Sequence, residues 1–126
     1  MTTSARAHLA LAYALPVLVL VQATLAGQHL FEGGSITLHG ILGNATFALT
    51  LVGVALALVR RGDAVMFSMA VALVALTFAQ VGLGYVGRET LTAAAWHIPV
   101  GVAIFGLTTF QVAVVRASIG GGSPSR

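Results

Sequence analysis

The sequence predicts an all-α membrane fold, an antiparallel bundle of four transmembrane helices made of two tandem helical hairpins. The chain is 58% hydrophobic and only 7% charged, whereas soluble domains carry about 25% charged residues. Its charged residues separate four apolar runs that are long enough to cross a hydrocarbon core of about 30 Å. Such runs must be helical in lipid, because a chain of 126 residues with runs this long cannot form a barrel.

Each of the four predicted helices lies between charged residues. The expected spans are 7–29, 36–59, 64–86 and 91–115, and they are bounded in order by Arg6, Glu32, Arg60, Asp63, Arg88, Glu89 and Arg116. Together they form one transmembrane domain over residues 1–119. The glycine- and serine-rich residues 120–126 are expected to be a flexible tail.

The distribution of arginine predicts the orientation. Arg88 is the one arginine in a loop on the side opposite to the other five, which are Arg6, Arg60, Arg61, Arg116 and Arg126. The positive-inside rule then places both termini in the cytoplasm, in a multi-pass protein of the inner (cytoplasmic) membrane. The arginines form no basic cluster, so no nucleic acid partner is expected. The absence of cysteine excludes disulfides, thiolate ligands and covalent haem attachment.

The sequence also contains an internal repeat with an offset of 58 positions. It pairs two copies of the pattern His-x-x-x-Gly-x-x-x-Phe, formed by His39, Gly43 and Phe47 and by His97, Gly101 and Phe105. Residues four apart lie on one face of a helix. Because the repeat relates two hairpins in parallel, the second and fourth helices run the same way, and their histidines face each other at one depth.

Two neutral imidazoles that face each other are what a six-coordinate haem iron needs as axial ligands. We therefore expect one haem b near the outer face, with His39 and His97 as its metal ligands. Gly43 and Gly101 would leave the turn beneath the macrocycle free of side chains, and the two phenylalanines would pack at the next level. The alternative is a helix-packing stripe of small residues left by duplication, in which the histidines only form hydrogen bonds.

Further polar residues lie near the expected haem. Gln22 and Gln80, which the repeat also pairs, would either orient the imidazoles by bonding their second nitrogen or tie helices together. Arg88 would pair with a haem propionate, or instead with Glu89 or lipid headgroups.

Four residues have weaker signals. His29 is a candidate alternative ligand or propionate partner, or simply an interfacial residue. Asn44 has no polar counterpart in the repeat, so it marks either a packing contact or an asymmetric feature of the site. Tyr85 is expected in the interfacial aromatic belt, with a haem-pocket wall as the alternative. His8, near the start of the first helix, is expected to be solvated and remote from the other histidines.

The sequence Gln80-x-x-Leu83-Gly84, followed by His97 and Gly101, resembles one half of haem A synthase. That family has two four-helix halves, each with a histidine pair on its second and fourth helices. The chain is also similar to small four-helix proteins related to that family and, more loosely, to b-type membrane cytochromes. The resemblance runs from about residue 15 to residue 115 and implies His39 and His97 as axial ligands.

One departure limits what the resemblance implies. The catalytic half of that family has a glutamate three residues before the histidine of its second helix, where this chain has Ile36, and Ala94 stands in the equivalent place before His97. We therefore expect a haem carrier or electron-transfer protein, working beside a respiratory complex or another redox partner, rather than an oxygenase. The alternatives are a haem-free structural subunit and a haem-modifying or quinone-linked enzyme.

Overall fold

A computed structural model describes residues 1–60 and 64–120, and it confirms the all-helical four-helix bundle. The helices are α1 (Thr3–Glu32), α2 (Thr37–Val59), α3 (Ala64–Val86) and α4 (Leu91–Gly120). All four are long and apolar enough to cross a membrane. The bundle is therefore that of a multi-pass membrane protein.

The first and last helices, α1 and α4, are longer than the sequence predicts. Helix α1 begins at Thr3 because the Thr2 hydroxyl accepts a hydrogen bond from the Ala5 amide at 3.3 Å, which satisfies a free donor at the helix start. It ends where Gly33 adopts a left-handed conformation with φ of 70°, as helix C-termini commonly do. Helix α4 continues to Gly120, five residues past its predicted end. Residues 121–126 of the predicted tail lie outside the described residues.

The helices form a square. The packed pairs are α1–α2, α2–α3, α3–α4 and α1–α4, so α2 lies diagonally opposite α4. Successive helices are antiparallel, since Asn44 of α2 bonds Tyr85 of α3 and Thr50 bonds Thr77. Helices α2 and α4 are consequently parallel, as the repeat predicts.

The internal repeat is also present in the buried core. Each buried position of α1 from His8 to Leu15 has a buried counterpart 58 residues later in α3, and the same offset relates the buried residues of α2 and α4. The pairs are His8 and Met66, Leu11 and Met69, Ala12 and Ala70, Leu15 and Leu73, Thr46 and Ile104, Thr50 and Thr108, Gly53 and Gln111, and Ala57 and Val115. The two hairpins thus present the same faces to a shared interior.

The outside of the bundle is apolar. Large hydrophobic side chains are exposed along all four helices, among them Leu20 (52%), Leu51 (48%), Phe78 (69%) and Phe110 (59%). Contiguous exposed apolar surface of this kind suits a hydrocarbon solvent rather than water. The exterior therefore agrees with contact with a lipid bilayer.

The prediction that His8 is solvated is wrong. Its side chain is fully buried, because it lies on the same face of α1 as Leu11, Ala12 and Leu15. Its Nδ1 lies 3.4 Å from Nη1 of Arg60, whose Nη2 donates to the Ser118 hydroxyl at 2.9 Å. His8 therefore belongs to the end of the bundle that carries Arg6, Arg60 and Arg116, which we call the arginine end.

Candidate functional site: a facing histidine pair

His39 and His97 face each other across the diagonal of the bundle. His39 is in the first turn of α2 and His97 in the second turn of α4, at what we call the histidine end. Their ring centroids are 6.0 Å apart, and the ring planes are tilted by 60°. The structure thus brings together the two histidines that the sequence pairs.

The separation of the rings matches a pair of axial ligands. Metal–imidazole bonds are about 2 Å long and the ring centre lies about 1 Å beyond the nitrogen, so coaxial imidazoles on one ion have centres roughly 6 Å apart. A tilt of 60° is compatible with this arrangement, because two ring planes that contain the same metal–nitrogen axis can make any angle with each other.

A main-chain hydrogen bond fixes the orientation of each imidazole. His39 Nδ1 donates to the Gln22 carbonyl at 3.0 Å, and His97 Nδ1 donates to the Gln80 carbonyl at 3.1 Å. A carbonyl oxygen can only accept, so Nδ1 carries the hydrogen in both rings, and in the neutral form Nε2 keeps its lone pair. Histidines that bind metals are held in this way, with the other ring nitrogen donating to a carbonyl or a carboxylate.

Of the two roles predicted for the glutamine side chains, orienting the imidazoles or tying helices together, the structure shows the second for Gln22. They do not bond the imidazoles; Gln22 Nε2 instead donates to the Thr46 hydroxyl at 2.9 Å, which ties α1 to α2. A Cβ atom added to Gly43 would lie 3.2 Å from Gln22 Oε1, and one added to Gly101 would lie 3.0 Å from Gln80 Nε2. The two glycines therefore make room for amide groups beside the histidines.

The two amides differ in one respect. The repeat pairs Thr46, which accepts from Gln22, with Ile104, which cannot accept. Gln80 Oε1 is buried and has no hydrogen-bond partner among the described residues. A buried acceptor without a partner is costly, so this oxygen is available to a ligand or a water molecule.

A glycine allows α3 to approach His97. A Cβ atom added to Gly84 would lie 3.1 Å from Cε1 and 3.5 Å from Nδ1 of that imidazole. The motif Gln80-x-x-Leu83-Gly84 thus has a local explanation, since its first residue supplies the carbonyl that binds His97 and its last residue leaves space for the ring. The residue types of the motif do not by themselves reveal this contact.

The histidine pair opens into a cavity of about 530 Å³, a size within the range of about 300–1,000 Å³ typical of ligand sites. Its walls are mainly small and apolar, and the predicted residues Gln22, Gln80, Gly43, Gly101 and Arg88 line it with both histidines. The described residues that line it include neither Phe47 nor Phe105. Both phenylalanines are half-buried, and Phe47 packs against Phe78 of α3 with centroids 6.0 Å apart.

Arg88 lies at the mouth of the cavity. Its guanidinium carbon is 5.1 Å from the centre of the Tyr85 ring, and its Nη2 would be 3.5 Å from a Cβ atom added to Gly40. In residues 1–60 and 64–120 no carboxylate pairs with it. Tyr85, expected in the interfacial belt, also lines the cavity and receives a hydrogen bond from Asn44 Nδ2 at 3.0 Å.

His29 is exposed and caps the loop after α1. Its Nδ1 donates to the Gly34 carbonyl at 2.6 Å, and its side chain borders the cavity. The structure therefore places His29 at the border of the cavity and outside the facing pair.

The metal-binding side chains of the site suit a cofactor that itself supplies most of the ligands of its metal ion. Among the described residues no group of three or more His, Cys, Asp or Glu side chains could hold a metal ion. A haem needs only two ligands from the protein, because the porphyrin supplies four nitrogens. Two oriented Nε2 atoms, a cavity and a cation at its mouth thus fit a haem better than a bare metal ion.

Comparisons with known proteins add no family assignment. No family model, curated protein or solved structure matches the chain. The fold and the site together define a four-helix membrane bundle with a facing histidine pair in a cavity at one end.

Proposed function

We propose that the protein holds one haem b between His39 and His97 and acts in electron transfer or haem handling in the inner (cytoplasmic) membrane. The observation that carries the proposal is the matched pair of Nδ1–carbonyl bonds, which leaves both Nε2 atoms free at a ring separation of 6.0 Å. A bound haem would supply one-electron exchange between ferric and ferrous iron.

Each remaining part of the site has a role in holding the macrocycle. The carbonyls of Gln22 and Gln80 keep the imidazoles from rotating, which reduces the ordering cost of ligation. Arg88 would pair with a propionate at the mouth of the cavity, because guanidinium and carboxylate form bidentate hydrogen bonds. The mainly apolar walls of the cavity would surround the macrocycle, which is itself largely apolar.

The orientation follows from the arginines. With the arginine end in the cytoplasm, the haem would lie near the outer face, where a redox partner such as a respiratory complex could approach it. The two described acidic residues, Glu32 and Glu89, are exposed near the histidine end, and neither lines the cavity. The absence of a carboxylate from the described cavity wall favours a carrier over an oxygenase of the haem A synthase kind.

The proposal is tested by the absorption spectrum of protein purified from cells with ample haem. Wild type should show a Soret band and a sharp reduced α-band, and His39→Ala and His97→Ala should each abolish the six-coordinate spectrum. His29→Ala is the matched control and should leave the spectrum unchanged.

Two results would contradict the proposal. A colourless wild-type protein of normal stability would favour a haem-free structural subunit, in which the same hydrogen bonds only join helices. A spectrum that survives His97→Ala but not His29→Ala would mean that the ligand pair is wrong.

A further inference from the structure

One flank of the cavity breaks the internal symmetry with polar side chains. The residues that differ lie on α2, on α3 and just after α3, and their counterparts 58 positions away are apolar or glycine. The pairs are Asn44 and Val102, Tyr85 and Gly27, and Arg88 and Leu30. We call the first residues of these pairs the polar flank. Duplicated helices need no such asymmetry to pack, so a separate role must account for it.

The polar flank is deeper than a surface contact would need. Asn44 is seven residues into α2, which places it about 10 Å below the start of that helix. Both Asn44 and Tyr85 are exposed on the outside of the bundle and line the cavity. A polar side chain that faces hydrocarbon is costly and marks a functional site by default. A ligand can therefore reach these side chains from the bilayer.

The polar flank has hydrogen-bond donors without acceptors, so it suits a ligand that accepts hydrogen bonds. Tyr85 oxygen accepts from Asn44 Nδ2, and the Tyr85 hydroxyl hydrogen has no acceptor among the described residues. The second N–H of the Asn44 amide is also without one. Two neutral donors at this depth suit a neutral carbonyl, whereas a lipid phosphate would have to leave the headgroup layer and lose its hydration.

An aromatic surface continues the polar flank towards the centre of the membrane. We call the line where α2 packs on α3, from Asn44 and Tyr85 to Phe47 and Phe78, the α2–α3 groove. Phe47 is the next residue on the Asn44 face of α2, and it packs on Phe78 of α3 at 6.0 Å with the rings tilted by 51°. Phe78 is 69% exposed. The groove between α2 and α3 thus has carbonyl-binding donors above and an exposed aromatic wall below.

We propose that this groove binds the head group of a lipid-soluble quinone, with a ring carbonyl on Tyr85 and Asn44 and the apolar tail along Phe47 and Phe78. The quinone would be a redox partner of the haem, so its role rests on the proposed function. The contacts are those of the protein alone, so binding does not require haem.

The experiment uses the full chain in phosphatidylcholine nanodiscs, prepared without haem, and a photoreactive azido-quinone with a short isoprenoid tail. Mass spectrometric fragmentation locates the label, and competition with decyl-ubiquinone gives the affinity. We expect displaceable labelling of the α2–α3 groove. Tyr85→Phe and Asn44→Val should each weaken binding by about fivefold to tenfold, the effect of one lost hydrogen bond. Tyr13→Phe, an exposed tyrosine near the arginine end, is the matched control and should bind as wild type does.

Three outcomes would overturn the inference. The label could spread over all four helices without displacement, which is simple partitioning into lipid. The Tyr85 and Asn44 variants could bind as tightly as wild type. Phosphatidylglycerol could displace the label where decyl-ubiquinone does not, which would identify a headgroup site. A protein that shows the haem spectrum but binds no quinone refutes this inference alone. A protein that binds quinone but stays colourless when haem is supplied refutes the proposed function alone.

Discussion

Replacing Gly84 by alanine tests whether the packing around His97 serves haem binding. The added Cβ would lie 3.1 Å from Cε1 of the imidazole, several tenths of an ångström closer than an ordinary carbon–carbon contact of about 3.5–4.0 Å. The ring must therefore shift or rotate, which stretches its bond to the Gln80 carbonyl. Disturbing the group that orients a metal ligand typically lowers metal affinity about 10- to 100-fold.

The matched control is Gly82→Ala in the same helix, because a Cβ atom there meets nothing within 4 Å. Both changes gain up to about 1 kcal/mol of helix propensity, so their difference isolates the contact with His97. The assay is titration of the haem-free protein with haem, followed at the Soret band, together with the free energy of unfolding in mixed micelles. We expect Gly82→Ala to bind haem as wild type does and Gly84→Ala to bind it at least about tenfold more weakly. Equal haem affinities for the two variants would show that the close packing of Gly84 on His97 does not serve haem binding.

Two further predictions concern the stability contributed by buried polar side chains. Thr50→Val should lower the free energy of unfolding by about 1 kcal/mol, because Thr50 bonds Thr77 across the α2–α3 interface at 3.1 Å. Thr108→Val, its counterpart in the repeat, should cost less because its hydroxyl donates only within α4; equal losses in chemical unfolding would contradict this difference. His8→Met should raise the free energy of unfolding by about 1 kcal/mol, because it removes a buried Nε2 that has no hydrogen-bond partner among the described residues. A clear loss of stability would show that the contact with Arg60 outweighs that gain.

The sequence predicted the fold well because the signals in a membrane chain are simple. Apolar runs between arginines and acids define helices, and the limits of α2 and α3 agree within one residue with the predicted spans. The start of α1 was missed because it depends on the Thr2 cap. That contact needs the local backbone geometry as well as the residue type.

His8 shows where local reasoning fails. A histidine near a helix end and beside Arg6 is usually solvated, yet it lies on the buried face of α1. The repeat contained a signal, because its counterpart is Met66, an apolar residue in the core. Extending the symmetry to that pair would have predicted the burial.

The site was predicted in part. The spacing of the repeat identified the histidine pair, and periodicity placed the two rings at one depth. The acceptors of the imidazoles could not be predicted, because main-chain carbonyls have no sequence signature. The bond between Asn44 and Tyr85 was also beyond reach, since it depends on the register of α2 against α3.

Imidazole rescue tests whether His97 is a ligand of the haem. His97→Gly removes the proposed ligand and leaves a space of the size of the ring. Free imidazole added to this variant with haem should restore the six-coordinate absorption spectrum, because a ligand needs only its nitrogen and not its link to the chain. Two results would show that His97 is not a ligand of the haem. The first is that wild type binds haem and His97→Gly keeps the same six-coordinate spectrum without imidazole. The second is that imidazole restores nothing while the variant remains folded.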